Sequence, residues 1–158
     1  MENTPTPQWI KLVGYTVAVI FIILCLLHAY WALGGIWAWD SVIPPDLEYP
    51  SKLATWLVSF LLFLAMLIVL GKVGLWGKRF PRWAFKWGTW GVSTVFFMRS
   101  IGDFKYCGFF KKVTTTTFAH LDTWLFTPLC LLISLLCVIT AIFEYNHIFK
   151  AKCDVKSR

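Results

Sequence analysis

The chain is 158 residues long, 58% hydrophobic and 18% aromatic, with 15% charged residues and a formal net charge of +7. So little polar surface excludes a water-soluble globular domain of this size, and the uncharged runs are long enough to cross a bilayer. The lysines and arginines lie between and after apolar runs, which is the pattern of cytoplasmic loops in membrane proteins and not of a nucleic-acid-binding face.

Met1 to Gln8 is a short polar arm with Pro5 and Pro7, predicted to be disordered. The first apolar run, about Leu12 to Leu33, is too long for a signal-peptide core and is read as a retained transmembrane helix whose only ionisable side chain is His28. Between Gly34 and Lys52 lie Gly34-Gly35, Pro44-Pro45, Pro50, three acidic residues and several aromatic ones, the composition of a loop lying against lipid headgroups. The second run, Leu53 to Gly71, holds no charge and would rise about 28 Å as a helix. Lys72, Lys78, Arg79, Arg82 and Lys86 then form a basic connection around Gly74, Gly77 and Pro81.

The third run has only twelve uncharged residues between Lys86 and Arg99. A full span over about Trp83 to Phe104 requires Lys86 to snorkel and Arg99 to be buried; the alternative is a re-entrant segment. At its end Arg99 and Asp103 stand four residues apart, the spacing of a helical pair. The threonine-rich stretch from Lys105 to Leu121 leads to Asp122, placed to cap a fourth span over about residues 124–146, with Pro128 near its start and a basic cytoplasmic tail at 147–158. The expected fold is therefore all-α: a single four-helix transmembrane bundle.

Four spans put both termini and the middle loop on one side, with ten lysines and arginines against four on the other. The positive-inside rule makes the richer side cytoplasmic, although Lys105, Lys111 and Lys112 sit awkwardly in an outer loop. The ten tryptophans fit two interface belts, with Trp31, Trp37, Trp39, Trp56 and Trp124 outside. His28 and Arg99 each lie five residues before the expected outer helix ends, about 7 to 8 Å inside them. Asp103, His120 and Asp122 fall at the same level, and Trp31 stands beside them.

An ionisable group at membrane depth survives where it meets a partner or a wet cavity, so these residues form a candidate site. Each also has a plainer explanation: a histidine satisfied by a neighbouring carbonyl, an Arg99–Asp103 clasp that only fixes packing, Asp122 as a helix cap, His120 as a solvated side chain. No metal-ligand spacing, nucleophile motif or phosphate-binding glycine loop is present, and no cofactor or metal is expected. The five scattered cysteines include no Cys-x-x-Cys pair, which argues against a membrane thiol oxidoreductase.

Three ordered strings stand out: His28-Ala29-Tyr30-Trp31-Ala32-Leu33-Gly34-Gly35, Arg99 to Lys111, and Phe118-Ala119-His120-Leu121-Asp122-Thr123 with Phe126-Thr127-Pro128-Leu129-Cys130. They resemble a family of short bacterial four-helix membrane proteins, domain-of-unknown-function family 3995 (DUF3995). The resemblance implies a bacterial plasma-membrane protein with its motifs at the outer ends of helices one, three and four, and it supplies no activity. Function is left between three readings. The first is an outward pocket in which His28, Trp31, Arg99, Asp103, His120 and Asp122 bind a lipid headgroup or small anionic solute. The second is an accessory or scaffolding protein in which the cluster is structural, and the third a membrane-embedded enzyme with His28 as general base beside Asp122. The expected partner is the lipid bilayer, with a membrane protein or a second copy approached through Gly88 and Gly91 as candidates beside it, and no nucleic acid.

Overall fold

The computed structural model describes residues 7–44, 47–77 and 79–156, with side chains except those of Asp40 and residues 144–156. Expectations about the arm before Pro7, Asp46, Lys78 and the side chains of the basic tail lie outside the described residues. Among the described residues every regular element is helical: α1 (Gln8–Ala32), α2 (Trp39–Val42), α3 (Lys52–Lys72), α4 (Arg82–Ile101), α5 (Thr117–Leu121), a π-helical turn (Asp122–Phe126) and α6 (Thr127–Lys156). The long helices close a ring in which α1 packs on α3, α3 on α4, α4 on α6 and α6 on α1. This is an antiparallel four-helix bundle with neighbours in chain order.

The core joins Val17 and Phe21 of α1 to Leu62, Ala65, Met66 and Val69 of α3 and to Ile133 and Cys137 of α6. Helix α4 contributes small polar residues instead: Thr89, Ser93 and Ser100 are its buried positions. The Ser93 hydroxyl donates to the Ser134 carbonyl at 3.1 Å, and across the bundle Ser59 donates to the Cys25 carbonyl at 3.0 Å. Short side chains let the backbones approach and give the hydroxyls interhelical acceptors, which is how helices adhere where burial of apolar surface supplies no drive. The outward faces are correspondingly oily: Leu12, Ile23 and Leu26 on α1, Leu53 and Phe60 on α3, and Leu132 and Leu135 on α6 are exposed. Apolar surface of that extent needs a non-aqueous neighbour. Three stretches, Gln8–Ala32, Lys52–Lys72 and Thr117–Phe143, are long and apolar enough to cross a membrane.

Several boundaries differ from expectation, each for a local reason. Helix α1 starts at Gln8 and not Leu12, because the Pro7 carbonyl accepts from the amides of Ile10 and Lys11. Helix α4 is one unbroken helix of 20 residues, about 30 Å long, with no re-entrant reversal. It ends at Ile101, short of Phe104, because Gly102 adopts φ 93° and ψ −172°, a conformation open essentially to glycine alone. The last helical path begins at Thr117, where Thr116 Oγ1 accepts from the Ala119 amide at 3.1 Å, so Thr116 and not Asp122 is the cap. At the other end α6 runs on to Lys156, past the expected stop near His147. Helix α2, residues 102–116 and α5 cover the end of the bundle where α1 and α4 finish, and α2 lies against α5.

Candidate functional site

The site begins with proline chemistry. Pro128 has no N–H to give the Trp124 carbonyl, which disturbs regular winding immediately before it. The chain answers with the π-helical turn, in which the Thr127 amide bonds back five residues to the Asp122 carbonyl. This longer closure sets residue 127 over residue 122, and the Thr127 hydroxyl donates to Asp122 Oδ2 at 3.1 Å. Asp122 is thereby turned into the bundle, with 0% of its surface exposed.

Three further donors complete the carboxylate's shell. Arg99 Nη2 of α4 reaches Oδ1 at 2.9 Å, Lys111 Nζ reaches Oδ2 at 3.0 Å, and the Gly108 amide reaches Oδ2 at 2.8 Å. The Lys111 side chain is 5% exposed and also donates to the Ala119 carbonyl at 2.7 Å, whereas the Arg99 side chain keeps 36% of its surface open. One buried carboxylate thus faces two cations. Arg99 Nη1 is buried and has no hydrogen-bond acceptor among the described residues.

Asp103 is not the partner of Arg99. Because α4 stops at Ile101, the helical spacing that would pair them is lost, and Asp103 organises the following loop. Its Oδ1 accepts the amides of Lys105 at 3.0 Å, Tyr106 at 2.7 Å and Cys107 at 2.9 Å. The loop then closes on itself, with the Phe109 amide donating to the Ser100 carbonyl at 3.0 Å. Gly102 and Gly108 lie back to back, so close that a Cβ on Gly102 would strike the Cys107 carbonyl and one on Gly108 the Ile101 carbonyl. Phe104 takes φ 61°, an uncommon value for a residue with a bulky side chain, and is held there by this closure. The loop's geometry is what delivers the Gly108 amide and Lys111 to Asp122.

The amides of Cys107, then Tyr106 and Lys105, hold the Asp103 carboxyl below the usual carboxylate range. A lowered folded-state value stabilises the loop fully above the ordinary value of about 3.9 and loses that contribution only as pH falls through the lower one. The loop is therefore expected to stay closed through mildly acidic pH. Burial pushes the Cys107 thiol up, against the opposing pull of Arg99, so it should alkylate slowly at neutral pH. Asp103→Asn should speed that alkylation severalfold at neutral pH, measured by peptide mapping after timed exposure to iodoacetamide. Equal rates in the two proteins would mean the carboxylate does not hold the loop.

The other candidate residues are placed apart from this cluster. His28 Nδ1 lies 2.8 Å from the Leu24 carbonyl one turn back, and its ring meets Trp31 edge-on at 5.2 Å. Trp31 is buried and donates its indole N–H to the Trp37 carbonyl at 2.8 Å. His120 is exposed on α5. Among the described residues no hydrogen bond joins His28 to Arg99 or Asp122. The structure brings together Arg99 and Asp122, and adds Lys111 and Thr127, which the sequence reading passed over. A signal for Lys111 was present: lysines in a loop that the charge rule places outside are out of place unless one has a buried carboxylate to meet.

A bundle with apolar outer faces, three helices long and apolar enough to cross a membrane, and a doubly paired buried aspartate has the make-up of a helical membrane protein. The chain belongs to the DUF3995 family: the family model described as "Protein of unknown function (DUF3995)" matches residues 21–137, which takes in the core of the bundle from Phe21 onward and the whole Asp122 cluster. Comparison with curated proteins and with solved structures gives no match.

Proposed function

We propose that this is a multi-pass protein of a bacterial plasma membrane, with four spans, α4 being the third, and cytoplasmic termini, whose Arg99 site binds an anionic group at the outward rim. The group is a phosphate-bearing lipid headgroup or a small anionic solute. The observation that carries this reading is the charge balance: two cations share one buried carboxylate, and the partly open Arg99 side chain holds a buried Nη1 donor without an acceptor among the described residues. A buried donor left unpaired costs about 1 to 3 kcal/mol, and an anionic oxygen is the acceptor a guanidinium takes most strongly. Asp103 supplies no compensating charge inside the site because its carboxylate is engaged with backbone amides in the loop.

A second reading has its own support. Asp122 already accepts from four donors, which suits a structural clasp in an accessory or scaffolding protein. Native mass spectrometry of gently extracted protein, titrated with phosphatidylglycerol and with inorganic phosphate, separates the two. Under the binding reading Arg99→Met stays helical by circular dichroism and loses the retained anion, and Arg99→Lys, which keeps the charge but not the fork, retains it about tenfold less well. A folded Arg99→Met protein that binds like the wild type would end the binding reading. A protein that fails to fold with Met but folds with Lys, and binds no anion, would establish the clasp.

A further inference from the structure

A second feature at the same end of the bundle is independent of Arg99. Between the ends of α1 and α3, beside Trp39 of α2, lies a half-open cavity of about 460 Å³ whose lining includes Trp31, Trp39, Tyr49, Lys52 and Thr55. Its rings form a continuous wall: Trp31 and Trp39 are tilted by 38° with centroids 5.6 Å apart, and Trp39 meets Tyr49 edge-on at 5.2 Å. Both indole N–H groups are committed elsewhere, Trp31 to the Trp37 carbonyl and Trp39 to the Gly35 carbonyl. The Thr55 hydroxyl likewise donates to the Ser51 carbonyl at 3.2 Å. What the two indoles present to the cavity is therefore ring surface, not hydrogen-bond donors, and ring surface attracts soft cations such as alkylammonium groups.

Beside the wall stands the opposite preference. Lys52 is exposed at the first turn of α3, has no ion-pair partner among the described residues, and adds its charge to the positive end of that helix. Among the described residues no acidic side chain lines the cavity. A simple cation would be repelled by Lys52, and a simple anion would leave the aromatic wall unused. A ligand carrying a phosphate next to an alkylammonium satisfies both.

We infer that this cavity binds a phosphate ester of an amino alcohol, its phosphate on Lys52 and its ammonium against Trp31, Trp39 and Tyr49. The chemistry is that of a phosphocholine or phosphoethanolamine headgroup, supplied by a lipid or by its free glycerol ester. It does not rest on the Arg99 reading, which concerns a purely anionic group on different residues.

The test is native mass spectrometry of the full chain titrated with phosphatidylcholine, phosphatidylethanolamine, phosphatidylglycerol and soluble glycerophosphocholine. The two zwitterionic lipids are expected to be retained in preference to phosphatidylglycerol by Arg99→Met as well as by the wild type, which removes any contribution of the other site. Trp39→Leu and Tyr49→Leu should each weaken that retention about tenfold, the size of a desolvated cation–aromatic contact. Trp39→Phe, which keeps a ring, should weaken it less, and Lys52→Gln should lower it without restoring preference for phosphatidylglycerol. Uptake of glycerophosphocholine would support the free ester as a source, and uptake of the lipids alone would support the lipid. Absence of binding to either, no preference over phosphatidylglycerol in Arg99→Met, or full retention by a helical Trp39→Leu protein would overturn the inference.

Discussion

Asp122→Ala is expected to be among the most damaging single substitutions in the chain. It removes the carboxylate that two cations, one amide and one hydroxyl share, and leaves the Lys111 side chain charged, 5% exposed and, among the described residues, held only by the Ala119 carbonyl. Breaking a buried pair from one side costs about 3 to 5 kcal/mol because the remaining charge has no water to return to. Arg99, being one-third open, can recover part of its hydration, so Lys111 carries most of the penalty. The check is thermal unfolding in detergent by circular dichroism, where Asp122→Asn should fall between the wild type and Asp122→Ala. Replacing the whole group together, as Arg99→Met, Lys111→Met and Asp122→Leu, should recover much of the lost stability, since no charge is then stranded. An unchanged unfolding temperature for Asp122→Ala would show that the cluster contributes little to holding the bundle.

The second large effect is expected at Gly102 and Gly108. Each has a positive φ, 93° and 86°, and at each a Cβ would collide with backbone, which no rotamer change can relieve. Conformational strain alone accounts for about 1 to 3 kcal/mol per site, and the overlap adds to it. Gly102→Ala or Gly108→Ala should therefore open the loop, withdraw the Gly108 amide from Asp122, and expose Cys107. The readout is Cys107 alkylation, expected to rise by more than in Asp103→Asn. Gly91→Ala is the control, because its Cβ enters open space on α4 and a helical Gly→Ala change is neutral or stabilising by up to about 1 kcal/mol. If Gly102→Ala leaves Cys107 as protected as Gly91→Ala does, the back-to-back packing is not what closes the loop.

The bundle was legible in the sequence because its signal is local. Uncharged runs of helical length around Phe21, Leu62 and Ile133 need no knowledge of distant contacts, and those residues form the observed core. The importance of Arg99 was legible for the same reason, as a charge in an apolar context. Its partner was not. The nearest acid at helical spacing was Asp103, and the pairing failed because one glycine between them ends the helix, a stop signal that a glycine following a helix commonly gives. Asp122, read both as a cap and as a member of the outer cluster, became the centre of the site because Thr116 caps the helix six residues earlier than the cap reading required. Lys111 was counted only as loop charge, since nothing in sequence spacing states that a loop will fold back over a helix that follows it. The wall of Trp31, Trp39 and Tyr49 was hidden likewise: tryptophans at a bilayer rim read as anchors until the chain reversal at Gly34-Gly35 brings two of them onto one space.

The wide turn over Asp122–Phe126 also fixes how the chain length is counted through this region. It absorbs one more residue than regular winding would, and each residue in a helix turns the chain by about 100°. Shortening the segment by a single position, anywhere between Asp122 and Thr127, would remove the residue that the turn absorbs and let the helix wind evenly with its two ends close to their present phase. Lengthening it by one would leave a residue with no turn to absorb it and swing everything on the N-terminal side around the axis. The acid would then leave its three distant donors and face hydrocarbon, while the downstream face that meets α4 through Ser134 stayed where it is. The spacing between acid and proline is thus a matter of rotational phase, and the bundle tolerates the loss of a residue there far better than the gain of one.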